Sequence, residues 1–259
     1  MTPAADWLPP AWRIAGVGVL MTTRSGGASR GRYASMNVGT AVGDDPEDVA
    51  ANRRLLAEAT GALPVYLRQV HGTRVARVDA ADAAPGAIVH EADAVVTTTP
   101  GVACVVQAAD CLPVLLAAPR ARAVGAAHAG WRGLAGGVVE AAVDAVAAAA
   151  GCAPGELAAW LGACIGPDAF EVGGDVLDAF GVANDRDANG PAAARFRANG
   201  SSKWLADLAG LARDRLARVG VRDVSGGGWC TVSDPVRFFS YRREGVTGRM
   251  AAAIWIAGR

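Results

Sequence analysis

Histidine, cysteine and lysine are scarce in this chain, and their scarcity narrows the chemistry before any motif is read. Three histidines stand among 259 residues, too few for the many imidazoles of a multicopper centre. The five cysteines, at positions 104, 111, 152, 164 and 230, are odd in number and show no paired spacing. That argues against a disulfide framework and for a reduced, cytoplasmic setting. Lys203 is the only lysine, so arginine carries nearly all the positive charge and weights the chain slightly towards planar, bidentate anion contacts. Excess charge is also missing. Lys+Arg and Asp+Glu both count 25, which leaves no net field to recruit nucleic acid or an anionic membrane. The best apolar run, Val138 to Ala150, is broken by Glu140 and Asp144 and is too short to span a bilayer. The opening residues carry prolines and Asp6 where an export signal needs a basic start and an apolar core.

What is present describes a globular protein. At 52% hydrophobic and 19% charged residues, the chain can bury a sizeable core, and with no internal repeat or linker it reads as one α/β domain over residues 1–259, with 1–12 an irregular lead. A strand from Arg13 runs into a long Gly-rich loop that holds Arg24, Asn37 and Asp44. Asp45-Pro46 opens a helix that bears Arg53 and stops at Gly61. VYLRQVHG reads as a strand ending at His71, His90 beside Glu91 as a surface residue, and AVGAAH as a strand ending at His128. After GWRG, the segment LAGGVVEAAVDAVAAAAG reads as one helix. A strand to Ile165, a Gly-Pro turn and a helix from Gly174 follow, then a loop rich in Asn, Asp and Gly. KWLADLAGLARDRLARVG reads as an amphipathic helix with Trp204, Leu205, Leu208, Leu211 and Leu216 on one side, and a buried strand closes the chain.

Three side chains at or beside strand ends can combine: His71, Cys111 and His128. Three such donors suit zinc, whose catalytic sites leave a fourth position open. The spacing equally permits a metal-free reading, with Cys111 as thiolate nucleophile, His128 as base and Asp110 or His71 as orienter. It also matches the His2Cys set of a copper site completed by a weak axial methionine such as Met36. Asp110 between two apolar bursts needs hydrogen bonds, either as a turn residue that ties the backbone or as an orienting carboxylate. Arg132, just after His128 at a helix start, makes an anion site with the backbone N–H groups there, and Trp131 helps exclude water. Arg24, Asn37 and Arg53 are the other candidates for substrate or phosphate.

Taken together, the stretches TTRSGGAS, SMNVGTAVGDDPEDVAANRRLL, RQVHG, EADAVVTTTPG, ADCLPVLL, AAHAGWRGLAGGVVE, GACIGPDAFEVG and SYRREGVTGRMAAAIW resemble the YfiH family, also described as polyphenol oxidase or laccase-domain proteins. The resemblance runs from about Thr22 to Trp255. It implies a single α/β/α sandwich with a mixed sheet, similar to the catalytic domain of cytotoxic necrotizing factor. It also implies that His71, Cys111 and His128 bind zinc, copper being the alternative. The activity it implies is phosphorolysis of adenosine, inosine, guanosine and methylthioadenosine, with deamination of adenosine. The partners are then a small-molecule nucleoside and phosphate. Alternatives carried by the same residues are a Cys-His hydrolase that edits a UDP-muramoyl peptidoglycan precursor, a copper-dependent polyphenol oxidase, and a non-catalytic zinc-stabilised interaction domain. The chain departs from the family pattern at Ala163 and Asp168, beside the Gly-Pro turn, which points to an altered substrate preference with the metal set intact.

Overall fold

The computed structural model describes residues 6–10, 14–182 and 192–258; part of the irregular lead and the Asn/Asp/Gly loop near residue 185 lie outside them. The long alternating and apolar runs form two mixed sheets. The smaller has the order β1 (Val17–Met21), β13 (Met250–Ile256), β5 (Val102–Ala108), β2 (Leu63–Val65). The six-stranded sheet runs β12 (Asp223–Gly226), β8 (Ala158–Leu161), β6 (Leu112–Ala117), β7 (Val124–Ala129), β4 (Ala94–Thr97), β3 (Val75–Arg77). A small antiparallel sheet joins β10 (Phe196–Ala198), β11 (Trp204–Ala206) and β9 (Glu171–Val172).

Period-2 alternation builds the layers, because successive side chains on a strand face opposite sides. Cys104 and Val106 on β5, Ala252 and Ile254 on β13, Leu115 and Ala117 on β6, and Trp160 on β8 share one core between the two sheets. Their alternate neighbours point outward. Val114, Leu116, Ala127 and Leu161 meet α3 (Val138–Ala150) and α5 (Leu208–Arg218). Ala103, Val105, Ala251 and Ala253 pack with Leu56 of α1 (Pro46–Thr60). The α/β sandwich expected from the sequence is therefore present, and its middle is double, with two sheets face to face between helical layers.

Local chemistry explains where elements begin and end. Asp45 caps α1 by accepting from Glu47 N, Pro46 takes the first turn, and Gly61 closes the helix with φ of 61°. The expected single helix after GWRG is two, α2 (Trp131–Gly136) and α3, because Gly137 between them adopts φ of 101°. The expected amphipathic helix from Lys203 starts late. Trp204–Ala206 form β11, and Asp207 caps α5 by accepting from Gly210 N. Likewise Val65 ends β2 well before His71, and β8 stops at Leu161 rather than Ile165. The helix expected from Gly174 is α4 (Gly174–Ala179), and the aromatic stretch near the C-terminus leads into α6 (Tyr241–Glu244). Among the described residues, no helix is long and apolar enough to cross a membrane.

Candidate metal centre

The site lies at one edge of the inter-sheet layer, where β6 begins, β7 ends and β4 begins. Cys111 immediately precedes β6 and His128 is the penultimate residue of β7, opposite Pro113 in the register. His71 arrives from a turn rather than a strand end, in a left-handed conformation with φ of 61° that non-glycine residues seldom adopt. One carboxylate holds that turn. Asp93, at the start of β4 and fully buried, accepts from Val70 N (3.1 Å), His71 N (2.9 Å) and Gly72 N (2.7 Å). The same carboxylate takes His128 Nδ1 at 2.9 Å.

This arrangement fixes the outward nitrogens. With Nδ1 of His128 engaged by Asp93, Nε2 is the atom left to bind a ligand. His71 Nε2 lies 3.7 Å from Cys111 Sγ, and the two imidazoles meet edge to face with centroids 4.8 Å apart. One donor atom from each of His71, Cys111 and His128 falls within 4.8 Å of the other two. Exposure is graded, from exposed His71 through half-buried Cys111 to buried His128, so the cluster has a dry wall and an open side. Gly130 keeps it open. A Cβ there would stand 2.7 Å from His71 Cδ2 and 3.0 Å from Cys111 Sγ.

Electrostatics favour a thiolate. Burial pushes the Cys111 thiol up, but the charge of His128 and hydrogen bonds from His128 and His71 outweigh it and bring the group down to about 6. His128 moves the other way; burial opposes its charge, and the Cys111 thiolate together with the Asp93 hydrogen bond raises it. Asp93 is held below the usual carboxylate range, against its burial, by the His128 hydrogen bond and the Gly72 and Val70 N–H groups. Two imidazoles, a thiolate and an open side form a donor set that fits zinc. Met36, the axial thioether suggested by the sequence for a copper site, is fully buried with Val38 and Leu56 in the layer under α1.

The remaining residues singled out in the sequence are distributed differently. Asp110, with φ of 95°, accepts from Thr231 Oγ1 and Arg242 N, both at 2.6 Å, and so ties the Thr231 turn and the first turn of α6 together beside Cys111. Arg24 bonds Ala34 O and Pro235 O and pairs with Glu244. Asn37 is buried with all its polar atoms bonded, to Gly39, Asp44 and Arg249 N. Arg53 donates to Val38 O and stacks 3.8 Å over the Tyr66 ring, lining a small cleft of about 180 Å³ with Thr40, Asp44 and Val49. Arg132 is exposed at the first turn of α2, 4.3 Å above the half-buried Trp131 ring, and makes no ion pair among the described residues. His90 pairs with Asp82 at 2.7 Å away from the site. Ala163 is a core residue, and Asp168 is an exposed partner of Arg197. Sequence reasoning missed Asp93. Its only signal is an acidic residue entering a fully apolar strand, EADAVV, where a carboxylate must find donors.

Comparison with known proteins matches this architecture along nearly its whole length. The chain is 47% identical to a purine nucleoside phosphorylase of Pseudomonas aeruginosa over 96% of this chain and 98% of that protein. It is 44% identical to the purine nucleoside phosphorylase YfiH of Escherichia coli, over 95% and 97%. A crystal structure of a Neisseria meningitidis protein superimposes with a TM-score of 0.88 at 48% identity, covering 98% of this chain and all of that one. YlmD from Geobacillus stearothermophilus gives 0.89 at 34%, covering 100% and 98%. With the family described as multi-copper polyphenol oxidoreductase laccase matching residues 18–257 as well, the chain belongs to this laccase-like family.

Proposed function

We propose that the chain is a zinc-dependent purine nucleoside enzyme of the cytoplasm that phosphorolyses adenosine, inosine, guanosine and methylthioadenosine and deaminates adenosine. The observation that carries this reading is the close triangle of His71, Cys111 and His128 at an open edge, in a chain whose near-full-length relatives are named purine nucleoside phosphorylases. Five free cysteines accord with a reducing compartment. Both histidines would offer Nε2 and Cys111 its sulfur. Zinc held by these three residues would supply Lewis acidity to the bound substrate.

The protein's own groups do the positioning. Asp93 keeps His128 in the tautomer that points Nε2 at the cluster, and Gly130 leaves room above it. Phosphorolysis forms a bond from phosphate oxygen to C1′ and breaks C1′–N9, the purine leaving with a proton. Deamination replaces the 6-amino group with the oxygen of water and releases ammonia. Only the first needs an anion site, and Arg132 beside the ligand strand is free to provide it. Adenosine incubated with and without phosphate, then chromatographed for inosine, adenine and ribose phosphate, tests the reading; no product from metal-loaded protein rejects it. His71→Ala, Cys111→Ala and His128→Ala should each lose metal, and full stoichiometry in any of them removes that residue from the set. Arg132→Ala should lower phosphorolysis more than deamination, and equal loss in both removes the phosphate role.

A second reading has its own support. The Asp110 carboxylate, one of the two orienters expected, is taken by Thr231 and Arg242 N; with Asp93 in that role, Cys111 and His128 within hydrogen-bond reach would serve as nucleophile and base, which suits a Cys-His hydrolase of a peptidoglycan precursor. Chelation should leave that activity intact and thiol alkylation should abolish it, the reverse of what metal-dependent turnover requires of the chelator.

A further inference from the structure

Of the four polar residues first considered for substrate, only Arg132 lacks a structural hydrogen bond or ion pair among the described residues, yet a second arginine stands by the cluster. Arg249 immediately precedes β13, whose first residue, Met250, pairs with Ala108 at the end of β5, just ahead of Asp110 and Cys111 in the chain. Thus Arg249 enters from one sheet at the edge where Cys111 and His128 enter from the other. Its side chain is fixed. Nη1 donates to Thr247 O at 3.0 Å and Gly248 O at 3.1 Å, and Arg249 N is held by Asn37 Oδ1.

The guanidinium is half-buried, and it makes no ion pair among the described residues. Burial lowers its pKa, and the charges nearest in effect are those of Cys111 and Asp110. Neither satisfies it: Cys111 faces the histidines, and the Asp110 carboxylate is occupied by Thr231 and Arg242 N. A half-buried cation without a bonded anion is costly, and an anionic ligand relieves that cost.

Tyr241 completes the feature. It opens α6 and its ring centroid is 5.9 Å from the Arg249 guanidinium carbon. The next residue's N–H bonds Asp110, which anchors this turn beside Cys111. Despite that anchoring, Tyr241 is 59% exposed. An exposed aromatic face next to a fixed guanidinium matches a flat base and an anion bound side by side, as the nucleoside and phosphate of phosphorolysis must be.

The geometry points to Arg249 and Tyr241 as a binding wall of the metal site, Arg249 holding the phosphate and Tyr241 stacking on the purine. The purine half rests on the nucleoside reading above; the anion half does not. Isothermal titration of the purified full-length, metal-loaded protein tests both, with inorganic phosphate and adenosine as separate titrants. Arg249→Gln should weaken phosphate binding about tenfold or more, with metal content and adenosine binding unchanged. Arg249→Lys, which keeps the charge and loses the fork, should fall between and serves if the glutamine variant does not fold. Tyr241→Ala should weaken adenosine binding about fivefold or more, and Tyr241→Phe should retain it. Phosphate binding that is absent in the wild type or unchanged in both Arg249 variants overturns the anion half, and adenosine binding unchanged in Tyr241→Ala overturns the stacking half. The two levels separate cleanly. Arg249-dependent phosphate binding without nucleoside turnover sinks the activity and keeps the anion site, whereas phosphorolysis with a KM for phosphate indifferent to Arg249 does the opposite.

Discussion

Asp93 is the residue on which the ligand geometry turns. Its two oxygens receive four donors, three from the backbone of the His71 turn and one from His128, so a single side chain sets the positions of two of the clustered residues, which lie far apart in sequence. Charge-assisted bonds of this kind are stronger than neutral ones. Asp93→Asn preserves shape but turns one acceptor into a donor facing N–H groups that are already donors. It should weaken metal binding about 10- to 100-fold and cost about 1–3 kcal/mol of stability. Chelator competition reads the first and urea denaturation the second, and an Asp93→Asn protein with wild-type affinity would remove the orienting role. Sequence reasoning reached His71, Cys111 and His128 because histidine and cysteine are rare and sit beside apolar runs. It could not reach Asp93, one of many acidic residues, whose role exists only once β4 lies beside β7 and the His71 turn.

At the scale of elements, two glycines that flank α2 do different work. Gly130 has ordinary φ of −64°, and its missing side chain is steric, because a Cβ would press on His71 and Cys111. Gly137 has nothing closer than Glu140 Oε2 at 3.7 Å to meet a Cβ, and its requirement is conformational, φ of 101°. Gly130→Ala should therefore lower metal affinity and turnover with modest change in melting temperature. Gly137→Ala should lose about 1–2 kcal/mol of stability and keep its metal. Metal titration and denaturation on the two variants check both, and reversed outcomes would refute the assignment. The same glycine shows why element boundaries were only partly legible. Capping chemistry at Asp45 and Gly61 is local, and α1 was readable end to end. By contrast, Gly136-Gly137 inside a run of alanine and valine is compatible with an unbroken helix until the left-handed φ is seen. Trp204 and Leu205 fit a helical stripe by spacing, and they are drawn into β11 by pairing with Val172 and Glu171, a non-local partner the spacing does not contain.

For the whole molecule, the doubled middle layer separates folding from the site. Runs such as VACVV and LPVLL show that the strands are buried on both faces, yet they do not say which sheet each joins; the sandwich came from the family resemblance, and its two-sheet core was not legible. Of the three clustered side chains, His71 is exposed and Cys111 half-buried, and only His128 is buried, at the edge of the packed layers. Trp160, 1% exposed between the sheets, belongs to that core, and Trp160→Ala should cost about 3–5 kcal/mol with metal affinity unchanged in the folded protein. Metal removal should do the converse. A ligand that binds only the native state stabilises it by mass action, about 4 kcal/mol at a concentration 1,000 times its Kd, so chelation should lower the melting temperature and abolish nucleoside turnover while near-UV circular dichroism persists. In a zinc-stabilised interaction domain, metal supplies the folding energy itself and its loss unfolds the chain. Collapse of the near-UV signal on chelation, with no turnover of nucleosides before it, would therefore establish that alternative; a chelated protein that stays folded and regains activity on adding zinc excludes it.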